Sequence, residues 1–292
     1  MSAGVARVPV GADGTAWFKA NPPGSAFEPG LLGALSRLAP HMVPPPLAVD
    51  TRRAWMLSMD AGSRLGELLR RDADPAHLTV LLRRYAHLQL ELAARPEELL
   101  ALGLPDLRPA VLPERLAALL DDPAVRAALR PGQVRALRDF APVLARRCRQ
   151  LEGFGFAASL DHGDLHPNNV FGCADGALAF DWGDASLTHP FSSLLVLLRA
   201  GGRFFGAEGL AALRSAYLEP WLEAGYGPGE VRRAADLAVR LAPVARAMAW
   251  GRVFACFTDA DEPNANQARR LLHLLAAGPL DEVPEQAYRA EA

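Results

Sequence analysis

The sequence predicts an α+β chain of two lobes: a small β-rich amino-terminal lobe over residues 1–60 and a large, mainly helical carboxy-terminal lobe over residues 61–292. Three observations carry this expectation. Short runs rich in Val, Thr, Trp and Phe alternate with Gly and Pro turns before residue 60. Beyond Gly62 the apolar spacing changes to the three and four residues of an amphipathic helix. One later stretch, within about residues 160–186, returns to strand patterning.

Taken in order, Ala6–Val10 and Thr15–Ala20 flank the turn Gly11-Ala12-Asp13-Gly14 and predict a hairpin with Lys19 on its second strand. After the breaker Asn21-Pro22-Pro23-Gly24, Leu31, Leu32, Leu35 and Leu38 fall at helical spacing. Ser25 and Glu28 have the spacing of a capping box, which puts Glu28 near the amino end of that helix. Pro46–Val49 and Ala54–Met59 predict a second hairpin, and Leu57–Gly62 an exit from the sheet. Leu78, Leu81, Leu82, Tyr85, Leu88 and Leu92 form the apolar stripe of one long helix. Shorter helices are expected over Pro96–Arg130, and a longer one from Gln133 to Leu151. Asn169–Gly172 and Ala177–Phe180 flank the turn Cys173-Ala174-Asp175-Gly176. Helices then resume over Phe191–Ala200, Glu208–Ala224, Gly229–Phe257 and Gln267–Ala276.

Composition narrows the function classes. The chain has 292 residues, half of them hydrophobic, with 31 basic and 33 acidic side chains and a formal net charge of −2, so no overall positive field draws it to nucleic acid or an anionic membrane. Apolar runs such as Leu194–Leu198 are too short to span a bilayer, and the first residues lack the apolar segment of a secretory signal. A cytoplasmic protein is the default expectation. Cys148, Cys173 and Cys256 are too scattered to predict a disulfide framework or a paired metal site. The basic residues comprise 30 arginines and a single lysine, Lys19. In such a background a lysine marks a place where a compact point charge serves and a planar fork does not.

The chemistry is concentrated in residues 162–169, His-Gly-Asp-Leu-His-Pro-Asn-Asn, followed twelve residues after Asn169 by Asp181-Trp182-Gly183. This is the pattern of a kinase catalytic loop and its metal-binding turn. Phosphoryl transfer needs a carboxylate to take the acceptor proton and hard oxygen ligands to hold Mg²⁺. Asp164 suits the first role; Asn169 and Asp181 suit the second. The intervening hairpin returns these residues to one edge of a small sheet. Lys19 and Glu28 then read as the strand lysine that clamps the α- and β-phosphates and the helix glutamate that orients it.

On these residues, together with Trp17-Phe18-Lys19 and Phe180–Ala185, the chain resembles the aminoglycoside phosphotransferase and choline kinase family of the protein-kinase-like superfamily. The resemblance spans roughly residues 5 to 200 by motif placement. It implies a bilobal protein-kinase-like fold with ATP between the lobes, residues 1–60 as the nucleotide-binding lobe, and Ser58, Met59 and Asp60 as the hinge against adenine. It also implies Mg²⁺ at Asn169 and Asp181 and Asp164 as catalytic base. Gly163 stands where protein kinases carry an arginine, which points to a small hydroxylated substrate and not a protein. Two departures are notable. Only eighteen residues precede Lys19, so the first strand and its phosphate-covering loop look shortened. In Thr188–Leu194, Ser192 or Ser193 replaces an acid that would support the catalytic loop.

Each residue also has a plainer reading. Asp164, Asn169 and Asp181 as local turn formers do not account for their joint spacing. His162, Asp164 and His166 alternate and could face one metal ion; the alternative is that His162 and His166 support the loop by hydrogen bonds. Glu28 could serve the helix dipole alone. Asp184 could approach substrate or lie on a surface loop. Trp250, Phe254 and Phe257 read first as core, and Asp259, Asp261 and Glu262 as a solvated loop. The sequence therefore predicts an ATP- and Mg²⁺-dependent small-molecule O-phosphotransferase. The alternative is a catalytically weak kinase-fold protein that binds a nucleotide or metabolite. Neither the acceptor nor the oligomeric state can be read.

Overall fold

The computed structural model describes residues 3–253, apart from 12–13, 73, 174–175 and 203. Several expectations lie outside the described residues: the run of the last long helix to Phe257 with its aromatic stripe, the helix over Gln267–Ala276, Cys256, and Asp259, Asp261 and Glu262.

The chain opens with an antiparallel four-stranded sheet of order β1-β2-β4-β3. β1 (Gly4–Val10) and β2 (Gly14–Ala20) form the first hairpin, and β3 (Pro46–Asp50) and β4 (Trp55–Met59) the second. The register sets Lys19 opposite Val5 on one side and Met56 on the other. Between the hairpins, α1 (Glu28–Leu38) buries Leu31, Leu32 and Leu35, as the apolar spacing requires. The expected capping box does not form. Ser25 lies in a separate 3₁₀ turn, Pro23–Ser25, and its hydroxyl donates to Asn21 Oδ1 at 3.5 Å, while Phe27 precedes the helix without a side-chain cap. Glu28 is the first residue of the helix and is fully buried, so it is held for something other than its neighbours' amides.

The remainder is mainly helical: α2 (Leu65–Leu69), α3 (Ala76–Leu92), α4 (Pro96–Ala101), α5 (Leu112–Asp121), α6 (Pro123–Ala128), α7 (Pro131–Glu152), α8 (Leu194–Gly201), α9 (Ala207–Glu223) and α10 (Pro228–Val253). The stretch Phe191–Ala200, expected as one helix, divides into a 3₁₀ turn over Pro190–Ser193 and then α8. Strand patterning returns twice here, not once. The expected hairpin is β6 (Val170–Cys173) with β7 (Gly176–Ala179), and beside it β5 (Ser159–Asp161) pairs with β8 (Ser186–Thr188). Three-residue strands paired across more than twenty residues leave no local periodicity to read. One contiguous core runs from α1 to α10 and includes Tyr85, Trp182, Phe191, Tyr217 and Trp221. Among the described residues, no helix is long and apolar enough to cross a membrane.

Candidate active site

Four elements deliver the side chains that the sequence singled out. β2 carries Lys19, α1 begins with Glu28, the loop after β5 carries His162 to Asn169, and the end of β7 leads to Asp181. The β6–β7 ladder pairs Val170 with Ala179, and Phe180 N–H donates to Asn169 O at 3.0 Å, so Asn169 and Asp181 emerge side by side at its open end.

Lys19 Nζ lies 2.5 Å from Glu28 Oε2 and 2.5 Å from Asp181 Oδ1. Its side chain is 13% exposed, that of Asp181 is 50% exposed and that of Glu28 is fully buried. Burial opposes the ammonium charge, but the two carboxylates together outweigh it and hold Lys19 protonated. Burial, helped by the charge of Asp181, pushes the Glu28 carboxyl up to about 7 against the pull of Lys19. Two carboxylates share one ammonium, so this cluster carries an excess of negative charge when both are ionised. Asp181 adopts a left-handed backbone, φ 63° and ψ 61°, a conformation that costs a non-glycine residue about 1–3 kcal/mol and that clusters at functional positions.

Asp164 forms a second cluster. Its Oδ1 receives Arg246 Nη2 at 2.5 Å, and its Oδ2 lies 3.2 Å from Asn169 Nδ2 and 3.3 Å from His166 Nε2. Burial works against its charge, yet Arg246 and His166 hold the carboxyl well below the usual carboxylate range. Asn169 Nδ2 also donates to Asp164 O at 3.0 Å. With its amide nitrogen committed in this way, Asn169 has its amide oxygen to offer a cation.

His162 joins the two clusters. Its Nδ1 accepts from Asp164 N–H at 3.3 Å and its Nε2 faces Phe180 O at 3.0 Å, which assigns the neutral tautomer protonated on Nε2. Burial pushes this imidazole down to about 4. His166 Nδ1 accepts from Asn168 N–H at 3.2 Å. No group of three or more His, Cys, Asp or Glu side chains gathers around a common point among the described residues, so His162, Asp164 and His166 do not form a metal cage. The oxygens of Asn169 and Asp181 are hard donors of the kind that would suit Mg²⁺.

At the proposed hinge, Asp60 N–H donates to Thr15 O at 2.9 Å and Asp60 Oδ1 accepts from Gly62 N–H at 3.1 Å. Ser58 Oγ is buried without a hydrogen-bond partner. Asp184 ends the 3₁₀ turn Trp182–Asp184 that follows Asp181. With Gly163, Leu195, Ala242, Ala245 and Arg246 it lines a small cleft beside the loop. Gly163 has φ +76°, and a Cβ there would lie 2.4 Å from Asp184 O, so no side chain fits at 163.

A family model described as "Phosphotransferase enzyme family" matches residues 14–234. The chain belongs to this family. No curated protein matches the phosphotransferase-family chain closely in sequence. Solved structures share its fold. An ethanolamine kinase from Plasmodium vivax is 12% identical with a TM-score of 0.62, covering 97% of this chain and 84% of its own. A macrolide 2′-phosphotransferase from Brachybacterium faecium is 18% identical with a TM-score of 0.54, covering 93% and 88%. An amicoumacin kinase in complex with AMP-PNP, Ca²⁺ and amicoumacin is 11% identical with a TM-score of 0.58, covering 96% and 87%. Arg246, which touches Asp164 directly, was not singled out from the sequence; its one signal is a charge inside the apolar run Leu241–Ala249.

Proposed function

We propose that the protein is an ATP- and Mg²⁺-dependent phosphotransferase acting on a hydroxyl of a small molecule. The observation that carries this reading is the convergence of Lys19, Glu28 and Asp181 in one ion cluster, with Asp164 and Asn169 beside it on the neighbouring loop. Asp164 would accept the proton of the acceptor hydroxyl as its oxygen bonds to the γ-phosphorus. The bond from that phosphorus to the bridging oxygen breaks, and ADP departs with the electron pair. Lys19 would meet the α- and β-phosphates as a fixed positive charge, aimed by Glu28. Bound at Asn169 and Asp181, Mg²⁺ would supply charge neutralisation at the phosphoryl oxygens. The AMP-PNP and Ca²⁺ named with one structural neighbour favour a nucleotide and a divalent ion. The neighbours' names span amino alcohols and antibiotics, which favours a small acceptor without choosing one. The near-neutral net charge favours neither nucleic acid nor membrane as partner, and a cytoplasmic location suits ATP use.

A catalytically weak binding protein is the second reading, favoured by the guanidinium seated on Asp164. Calorimetry with Mg·AMP-PNP and a screen of hydroxylated small molecules for ADP release separate the two. Asp164→Asn is expected to keep nucleotide affinity and to lower turnover about 10²–10⁴-fold, the worth of a positioned proton acceptor. Nucleotide binding with no acceptor-dependent ADP release across the screen would favour the second reading, and equal turnover in Asp164→Asn would remove Asp164 from the base role.

A further inference from the structure

The acid missing from Thr188–Leu194 leaves open what holds the catalytic loop, and the buried hydrogen bonds beneath it supply an answer. Asp161 ends β5, directly before His162, and its Oδ1 receives Ser193 Oγ–H at 2.6 Å. The backbone N–H of Gly163 donates to the same carboxylate. The preceding loop amide, His162 N–H, donates to Tyr85 OH at 2.9 Å. Both peptide amides immediately upstream of Asp164 are therefore held by side chains.

Those side chains are themselves fixed. Gln89 Nε2 donates to Leu160 O at 2.8 Å and to Ser193 Oγ at 3.1 Å, and Gln89 Oε1 receives Tyr217 O–H at 2.5 Å. Tyr85 OH lies 3.2 Å from Ser193 Oγ. Tyr85, Gln89, Ser193 and Tyr217 are all buried, so water does not compete for these bonds. The network ties β5 to α3 and α9.

We propose that Asp161 is the positioning residue of this loop: anchored by Ser193 and carrying Gly163 N–H, its carboxylate sets the angle at which Asp164 is presented. The supporting negative charge, expected at 192 or 193, has moved onto the loop's own strand. This inference rests on the reading of Asp164 as the base. It also implies reciprocity. A carboxylate at 193 would meet the O–H of Tyr85 and the Nε2–H of Gln89, both donors, while an amide at 161 could still accept from Gly163 N–H and donate to position 193.

The test uses the full chain and water as acceptor, following Mg·ATP hydrolysis together with amide hydrogen exchange in residues 160–165. Losing one hydrogen bond to a charged group, in Ser193→Ala, should raise exchange of His162 and Gly163 and lower kcat about 10-fold, with KM for ATP unchanged. Asp161→Asn should do the same, and Asp161→Asn combined with Ser193→Asp should recover most of both. Unchanged exchange in a folded Ser193→Ala, or no recovery in the folded double variant, overturns the proposal. If the parent protein shows neither Mg·ATP hydrolysis nor nucleotide binding, the phosphotransferase reading fails, while exchange in Ser193→Ala still decides whether Asp161 fixes the loop.

Discussion

Arg246 shows how much one side chain can change a site whose motif was otherwise legible. Asp164, Asn169 and Asp181 could be found because phosphoryl transfer fixes both their types and their spacing. Arg246 is one of 30 arginines, and it reaches Asp164 from a helix 82 residues away. Its side chain is 9% exposed, so the ion pair is only weakly screened by water. Arg246→Met should leave the partly buried Asp164 without its main counter-charge, costing about 1–3 kcal/mol of stability. The Asp164 carboxyl, now depressed, should rise, and the acidic limb of a kcat/KM profile should move upward by about one pH unit or more. An unmoved limb in a folded variant would show that Arg246 does not set the charge of Asp164. The sign for stability follows: a depressed carboxyl stabilises above its unfolded value and loses that contribution as pH falls, so the variant should be less sensitive to acid at this position.

The β3–β4 hairpin offers a test of local strain. Asp50 Oδ1 accepts from both Arg52 N–H and Arg53 N–H at 3.0 Å, and the turn closes through Ala54, whose φ of 57° is left-handed. Holding an L-residue there costs about 1–2 kcal/mol, while the buried methyl returns about 0.8 kcal/mol. Ala54→Gly should therefore stabilise the protein by up to about 1 kcal/mol, read as a higher midpoint in thermal unfolding; a lower midpoint would show that the methyl's packing dominates. Both hairpins before residue 60 were legible because short strands flank strong turn residues. The capping box was not, because Pro22 and Pro23 draw Ser25 into its own 3₁₀ turn and leave Glu28 to face Lys19. The β5–β8 pair was hidden for a different reason: its partners meet only after the β6–β7 hairpin folds back between them.

For the whole molecule, the helical stripes gave the fold class, yet Tyr85 and Gln89 sit on such a stripe and carry the polar network under the catalytic loop. Apolar periodicity does not reveal which buried polar groups meet. The same core buries two neutral imidazoles. Burial pushes His162 down to about 4 and His189 to about 3, and His189 packs against Phe156 and Phe191 while its Nδ1 accepts from Phe191 N–H at 3.2 Å. A depressed imidazole stabilises above its unfolded value near 6.5 and loses this as pH falls, by about 2 kcal/mol per histidine at pH 5. Glu28, raised to about 7, acts in the opposite sense and loses its contribution as pH rises. The informative comparison is therefore between variants: His189→Asn, which can keep the hydrogen bond to Phe191 N–H, should show a stability difference between pH 7 and pH 5 shifted by about 2 kcal/mol in favour of the acid side. Urea unfolding at both values checks it, and equal differences would mean that His189 does not titrate on unfolding. Lys19 has a further consequence. It is the only ε-amine in the sequence, and it is locked between two carboxylates. An amine-acylating probe therefore has one lysine to find, and the mass of a single peptide would report whether that cation is paired, covered by a bound nucleotide, or released.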